Sequence, residues 1–183
     1  ATWGILSGLI GARLLHVVDE TDYYWNNPEK IIQVRNGGIA VWGGIIGGWA
    51  GAWIYASRAG IVRGRLADIT VPGLLLAMAI GRIGDVINGE HLAHATNLPW
   101  AFVWTHEMSM SYWHHFDPAT GVLAGSHPAV VYEAMLDLAI VALALWVLPK
   151  VMRPDGMVFA ASLAMYAFGR FFILIMHDYD TWF

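Results

Sequence analysis

GIAVWGGIIGGWAGAWIYAS, residues Gly38 to Ser57, runs for 20 positions without a charged side chain. A helix needs roughly that many residues, at about 1.5 Å each, to cross the hydrocarbon core of a bilayer. Four further apolar stretches flank it: Ala1 to Val18 with Arg13, Ile69 to Ile87 with Arg82 and Asp85, Pro128 to Leu148 with Glu133 and Asp137, and Met157 to Met176 with Arg170. Open strands cannot cross lipid because their backbone groups would lack partners, and none of these runs alternates with the period of two that a barrel requires. The sequence therefore predicts an all-α, polytopic membrane protein with about five transmembrane helices. Residues 1–183 read as a single membrane domain, with segment 88–127 inserted between helices. Within the first stretch, Gly43, Gly44, Gly47, Gly48 and Gly51 form overlapping small-xxx-small patterns that let two helix backbones approach closely. The preceding pair Gly37-Gly38 offers a second use of glycine, freeing backbone N–H groups for a ligand through positive φ.

Composition supports the same solvent. Hydrophobic residues make up 57% of the chain and charged ones 13%, more apolar surface than a soluble core of this size needs. A formal charge of −4 excludes the basic stripe of a nucleic-acid-binding protein. The absence of cysteine excludes disulfides, thiolate metal sites and a thiol nucleophile of the protein's own. Any sulfur chemistry must use the sulfur of a substrate. The chain opens at Ala1 without methionine or a charged leader and enters an apolar stretch at once, so an amino terminus extending upstream is expected.

Charge asymmetry predicts sidedness. The connection from Ser57 to Asp68 carries Arg58, Arg63 and Arg65, and the one before Gly156 carries Lys150 and Arg153, so both read as cytoplasmic. The long segment Asn88 to His127 has no lysine or arginine and reads as extracytoplasmic. Trp100, Trp104 and Trp113 within it suit a headgroup-level surface. Asp19 to Asn36 is expected on the same outer side, with Lys30 and Arg35 counting against that placement.

Arg82 and Arg170 fall inside apolar runs, where an arginine costs roughly 2.5 to 3.5 kcal/mol at the helix centre. One use of such a charge is an internal ion pair, with Asp85 and Glu133 as natural partners, or a guanidinium that snorkels to the interface. The other is an anion site, because a guanidinium fork holds phosphate through two parallel hydrogen bonds and stays charged at any working pH. In a membrane that anion is a phospholipid headgroup. The outer segment also holds His91, His94, His106, His114, His115 and His127. Glu90 with the His91/His94 pair has spacing compatible with metal ligation, and a histidine-rich polar loop is the plainer reading. His16, inside the first stretch, is either a hydrogen-bonded buried histidine or an axial ligand to a haem or chlorin.

Gly81-Arg82-Ile83-Gly84-Asp85-Val86-Ile87-Asn88-Gly89-Glu90 resembles the GRxGNFxNxE signature of the prolipoprotein diacylglyceryl transferase family. Thr96-Asn97-Leu98-Pro99-Trp100 resembles its PTDLPWG continuation, and His127-Pro128-Ala129-Val130-Val131-Tyr132-Glu133 its HPxxxYE element. Upstream, Gly37-Gly38-Ile39-Ala40-Val41-Trp42-Gly43-Gly44 resembles the GGxxxxGG helix start, and Tyr166-Ala167-Phe168-Gly169-Arg170-Phe171 the YGxxRF element of the last helix. The order of the elements is the same, from about Gly11 to Phe172. The resemblance implies an enzyme of the bacterial plasma membrane that moves the diacylglyceryl group from phosphatidylglycerol to the lipobox cysteine of a preprolipoprotein, releasing glycerol phosphate. It assigns catalytic roles to Arg82, Arg170, Glu90 and Tyr166, and substrate contacts to Asn88, Asp85, Gly43, Gly44 and His127. It implies no metal and no cofactor, with membrane lipids and the lipobox protein as partners. His91, His94 and Glu90, and more remotely His127, are candidates for the base that takes the thiol proton.

The departures are specific. Asp85 stands where the signature has asparagine, which exchanges an amide donor for an acceptor-only carboxylate. Trp42 replaces a histidine or tyrosine, Ala93 the glycine after the signature, and Leu174 a glutamate of the last helix. Met176-His177-Asp178-Tyr179-Asp180 replaces the ending FxREPD. The family's first membrane helix, with its functional tyrosine, is missing from this chain. Asp85, Trp42 and Leu174 motivate an alternative, a catalytically degenerate member serving as a structural subunit of a larger membrane complex that holds pigment or another cofactor.

Overall fold

The structure is a computed structural model and describes residues 2–33, 37–89 and 91–177. Glu90 and Arg35 lie outside the described residues, as do Asp178, Tyr179 and Asp180 of the divergent ending. Backbone contacts divide the chain into two compact units, Ala1–Leu66 and Ala67–Phe183, where composition alone drew no boundary.

The first unit contains α1 (Thr2–Asp19), α2 (Thr21–Asn26), a 3-10 turn (Pro28–Lys30) and α3 (Val41–Arg58). Helices α1 and α3 run antiparallel, with Gly4 against Gly48, Gly8 against Gly44 and Gly11 against Gly43 and Gly47. A methyl group on Gly43 would run into the carbonyl oxygen of Gly11, and one on Gly47 into that of Ser7. The glycine ladder thus replaces side-chain interdigitation with backbone contact, as expected for helices in lipid. Arg13 of α1 is 7% exposed and fastens the connection to α3. Its guanidinium donates to the carbonyls of Ile31 (2.7 Å), Gly37 (2.9 Å), Gly38 (2.5 Å), Gln33 (3.3 Å) and Lys30, and lies 5.1 Å from the centre of the Tyr24 ring. Gly37 and Gly38 have φ of +87° and +77°. Glycine is required there, but it is their carbonyls, turned to Arg13, that are engaged.

The second unit contains most of α4 (Arg63–Asn88), then α5 (Met110–His115), β1 (Phe116–Asp117), β2 (Val122–Leu123), α6 (Ala129–Trp146), α7 (Leu148–Val151) and α8 (Met157–Leu174). Val71 and Leu75 of α4, Ile140 and Ala144 of α6, Leu148 of α7 and Val158 of α8 form its apolar centre. Asp68 of α4 caps α8, accepting the N–H groups of Gly156 and Phe159 at 2.8 Å each. Those N–H groups would otherwise be orphaned at a helix start.

Among the described residues, three helices are long and apolar enough to cross a membrane: Arg63–Asn88, Ala129–Val151 and Met157–Leu174. Only 17%, 28% and 17% of these stretches is buried within the protein, so most of their apolar side chains face outward. Water does not tolerate so much exposed apolar surface, and lipid does. All five apolar stretches of the sequence are helical, but α1 and α3 are not among the three. Arg13, His16 and Asp19 lower the apolarity of α1, and the glycines, tryptophans and Arg58 lower that of α3.

Segment 88–127 folds back onto the ends of α4, α6 and α8. Gly89, with φ +62°, ends α4 by donating to the Asp85 carbonyl at 2.9 Å. Its own carbonyl accepts the Ser109 and Ser111 hydroxyls and the Ser111 N–H, at 3.1, 2.8 and 3.0 Å. The β1–β2 hairpin is antiparallel, its turn held by Asp117, which accepts the Ala119 N–H (2.9 Å) and the Thr120 hydroxyl (2.6 Å). These bonds hold the Asp117 carboxyl below the usual carboxylate range. Phe102 and Ser126 exchange backbone hydrogen bonds, and the His94 N–H donates to the Met176 carbonyl (3.0 Å) beyond α8.

Candidate functional site

Three helices of the second unit bring charge to one place. Arg82 lies on α4, one turn before Asp85, and donates to its Oδ2 at 2.8 Å. Its other terminal nitrogen pairs with Oε2 of Glu133 on α6, while Arg170 of α8 pairs with Oε1 of the same carboxylate. Glu133 is 1% exposed, so it lies between the two guanidiniums and relieves the repulsion that they would exert on each other. The side chains of Arg82 and Arg170 remain 17% and 24% exposed, so the pair is not sealed off as Glu133 is. With Glu133 and Asp85 ionised, two positive and two negative charges cancel. An asparagine at position 85 would leave one positive charge in excess.

Two imidazoles border the cluster. His91 places Nδ1 3.9 Å from Asp85 Oδ2, and His177 places Nε2 3.7 Å from Glu133 Oε1. Their rings meet edge to face at 6.2 Å. Nδ1 of His177 donates to the Ile173 carbonyl at 3.2 Å. Burial pushes the His177 pKa down, and the neighbouring charge of Arg170 adds to the effect against that hydrogen bond.

The other sequence candidates are placed as follows. Asn88 ends α4 on the exposed side, and Tyr166, one turn before Arg170, packs against the apolar centre of the unit. His127 joins the segment by donating its N–H to the His94 carbonyl at 3.1 Å, and its Nδ1 is enclosed. Gly43 is buried in the α1–α3 contact and Gly44 lies against Ala12, so both act in helix packing within the first unit. Glu90 is outside the described residues. The sequence named Glu133 only as an ion-pair partner and did not single out His177. The signal for Glu133 was a carboxylate in an apolar run with two arginines to neutralise. Asp137, one turn further along α6 and 0% exposed, belongs to the same buried acidic face.

The family model for prolipoprotein diacylglyceryl transferase matches residues 1–182. The chain belongs to this family. A phosphatidylglycerol–prolipoprotein diacylglyceryl transferase of Corynebacterium diphtheriae is 34% identical over 97% of this chain and 65% of its own length. One from Frankia alni is 36% identical over 94% of this chain and 44% of its own, and transferase 1 of Streptomyces coelicolor 35% identical over 99% and 51%. The chain thus spans 44% to 65% of the length of these relatives.

Proposed function

We propose that this protein transfers the diacylglyceryl group of phosphatidylglycerol to the lipobox cysteine thiol of preprolipoproteins. The observation that carries the reading is the convergence of Arg82 and Arg170 on the buried Glu133, with both arginine side chains partly exposed. A phosphodiester that displaces Asp85 from Arg82 and seats against the pair receives charge-assisted hydrogen bonds from guanidiniums that Glu133 has already oriented. The thiol sulfur attacks the glyceryl carbon, the carbon–oxygen bond to phosphate breaks, and the glycerol phosphate departs on the two arginines. Holding the lipid and the peptide together in a fixed orientation removes much of the entropic barrier. In this reading Asn88 contacts the substrate, and Glu90 and Tyr166 act with the two arginines in catalysis, Tyr166 from one turn before Arg170 on the same helix face. None of the relatives described above bears the name of a structural subunit.

In this reading all five helices span the bacterial plasma membrane, with segment 88–127 outside and the α6–α8 connection inside. An impermeant maleimide should then label Ala119→Cys in intact cells and Pro154→Cys only after permeabilisation; the reverse pattern contradicts the topology. The activity itself is tested with the full-length protein, phosphatidylglycerol vesicles and a lipobox peptide. Thioether formation with release of glycerol phosphate is expected, absent when phosphatidylethanolamine is the only lipid and abolished by Arg82→Ala. Folded wild-type protein without activity would refute the reading.

A further inference from the structure

Transfer to a thiol leaves a proton to be removed, and the arginine cluster cannot take it. Among the described residues, several imidazoles of the second unit are otherwise engaged, and His127 shares an enclosed Nδ1 with His91 but has no carboxylate described beside it. Both ring nitrogens of His115 meet backbone carbonyls, at 2.8 and 2.9 Å. Nδ1 of His106 accepts the Met108 N–H at 3.2 Å, and His177 is buried with Nδ1 donating to Ile173. His91 differs. Its Nδ1 is enclosed and faces the Asp85 carboxylate, while 32% of its side chain stays open beside the arginine pair.

A single oxygen, Asp85 Oδ2, stands between the two groups, 2.8 Å from Arg82 and 3.9 Å from His91. The second distance exceeds a hydrogen bond by about 1 Å, a gap that a small rotation of the carboxylate closes. Resting on the proposed transferase activity, we infer that His91 accepts the thiol proton and that Asp85 is its positioning residue, moving from Arg82 to His91 when the lipid phosphate takes the guanidinium. Phosphate binding and base activation are then one event. In the free protein Asp85 occupies the Arg82 edge; in the loaded one its charge accepts the Nδ1–H of His91 and directs Nε2 to the thiol.

The step balances. The S–H electrons stay on sulfur and its proton passes to Nε2. Sulfur forms the bond to the glyceryl carbon as the carbon–oxygen bond breaks, and the oxygen leaves with that electron pair. The imidazolium, held by Asp85, afterwards returns its proton to the departing phosphate monoester or to water. Among the described residues, the charged and titratable groups of the cluster that His91 borders are Asp85 and Arg82 on α4, Glu133 on α6, Arg170 on α8 and His177 beyond it.

The test uses full-length protein in phosphatidylglycerol vesicles with two lipobox peptides, one with cysteine and one with selenocysteine, whose selenol is ionised at neutral pH and needs no proton acceptor. His91→Gln should slow transfer to the cysteine peptide about 100-fold while transfer to selenocysteine falls by less than about threefold, a small remainder against that acid–base factor. Arg82→Gln should slow both alike. Asp85→Asn should lower the KM for lipid, because the competing carboxylate charge is gone, and lower kcat on cysteine but not on selenocysteine. Equal losses with both peptides in His91→Gln, or none with either, would overturn the assignment. Inactive wild type on both peptides would instead remove the transferase reading and this inference with it.

Discussion

Arg13 and the pair Arg82/Arg170 are all arginines inside apolar helices, yet the two units use them differently. Arg13 gives its donors to the carbonyls of Ile31, Gly37, Gly38, Lys30 and Gln33 and is 7% exposed. A guanidinium has five N–H groups, so none remains for a ligand. Arg82 and Arg170 share one carboxylate and stay 17% and 24% exposed. An arginine at membrane depth is therefore not in itself an anion site. What differs is how far the side chain is enclosed, and whether neutral carbonyls or carboxylates hold it.

The largest effect that can break this comparison is removal of the shared carboxylate. Glu133→Gln leaves two part-buried guanidiniums without their shared carboxylate, and loss of one partner of a buried pair costs roughly 3 to 5 kcal/mol. Denaturation of the purified protein in detergent should show that loss. A variant as stable as wild type would mean that the arginines do not depend on Glu133.

Arg13→Lys comes next. An ammonium has three donors and no planar fork, so it cannot serve the five carbonyls that the guanidinium reaches. Each carbonyl left buried without a partner costs about 1 to 3 kcal/mol, and the loss should appear as lowered stability with faster proteolysis of the segment between α2 and α3. Unchanged stability would place the strength of that connection elsewhere.

The smallest effect is the pH response of His177. Its folded-state pKa lies below the unfolded value, so on acidification the unfolded chain takes up the proton first. Stability should therefore be complete at neutral pH and fall as the pH drops below the ordinary imidazole range. His177→Gln should flatten this dependence between about pH 7 and pH 5. An equally steep loss in the variant would assign the acid sensitivity to other groups.

Much of this was legible before the structure. The five helices follow from apolar runs long enough to span lipid, and the α1–α3 contact from the spacing of Gly43, Gly47 and Gly51. Arg82 and Arg170 stood out because charge in such a run needs a reason. The role of Arg13 did not, since its partners are backbone carbonyls of a connection whose path depends on two consecutive positive-φ glycines. The sharing of Glu133 was equally hidden, because a sequence lists candidate partners but not the crossing of α4, α6 and α8 that lets one carboxylate serve both arginines. Three of these helices are apolar enough to mark a span by themselves among the described residues; in α1 and α3 tryptophan and glycine make a run uncharged without making it strongly hydrophobic.

In the proposed reading Arg82 and Arg170 hold a phosphate, whereas Arg13 holds the fold. The most direct measurement is the initial rate of lipobox-peptide lipidation by full-length Arg82→Lys, read beside its thermal stability. The lysine still pairs with Glu133 but presents no bidentate fork. The account predicts near-wild-type stability with transfer reduced by about 100-fold, the scale of a lost preorganised donor. Undiminished transfer by a stable Arg82→Lys protein would contradict it.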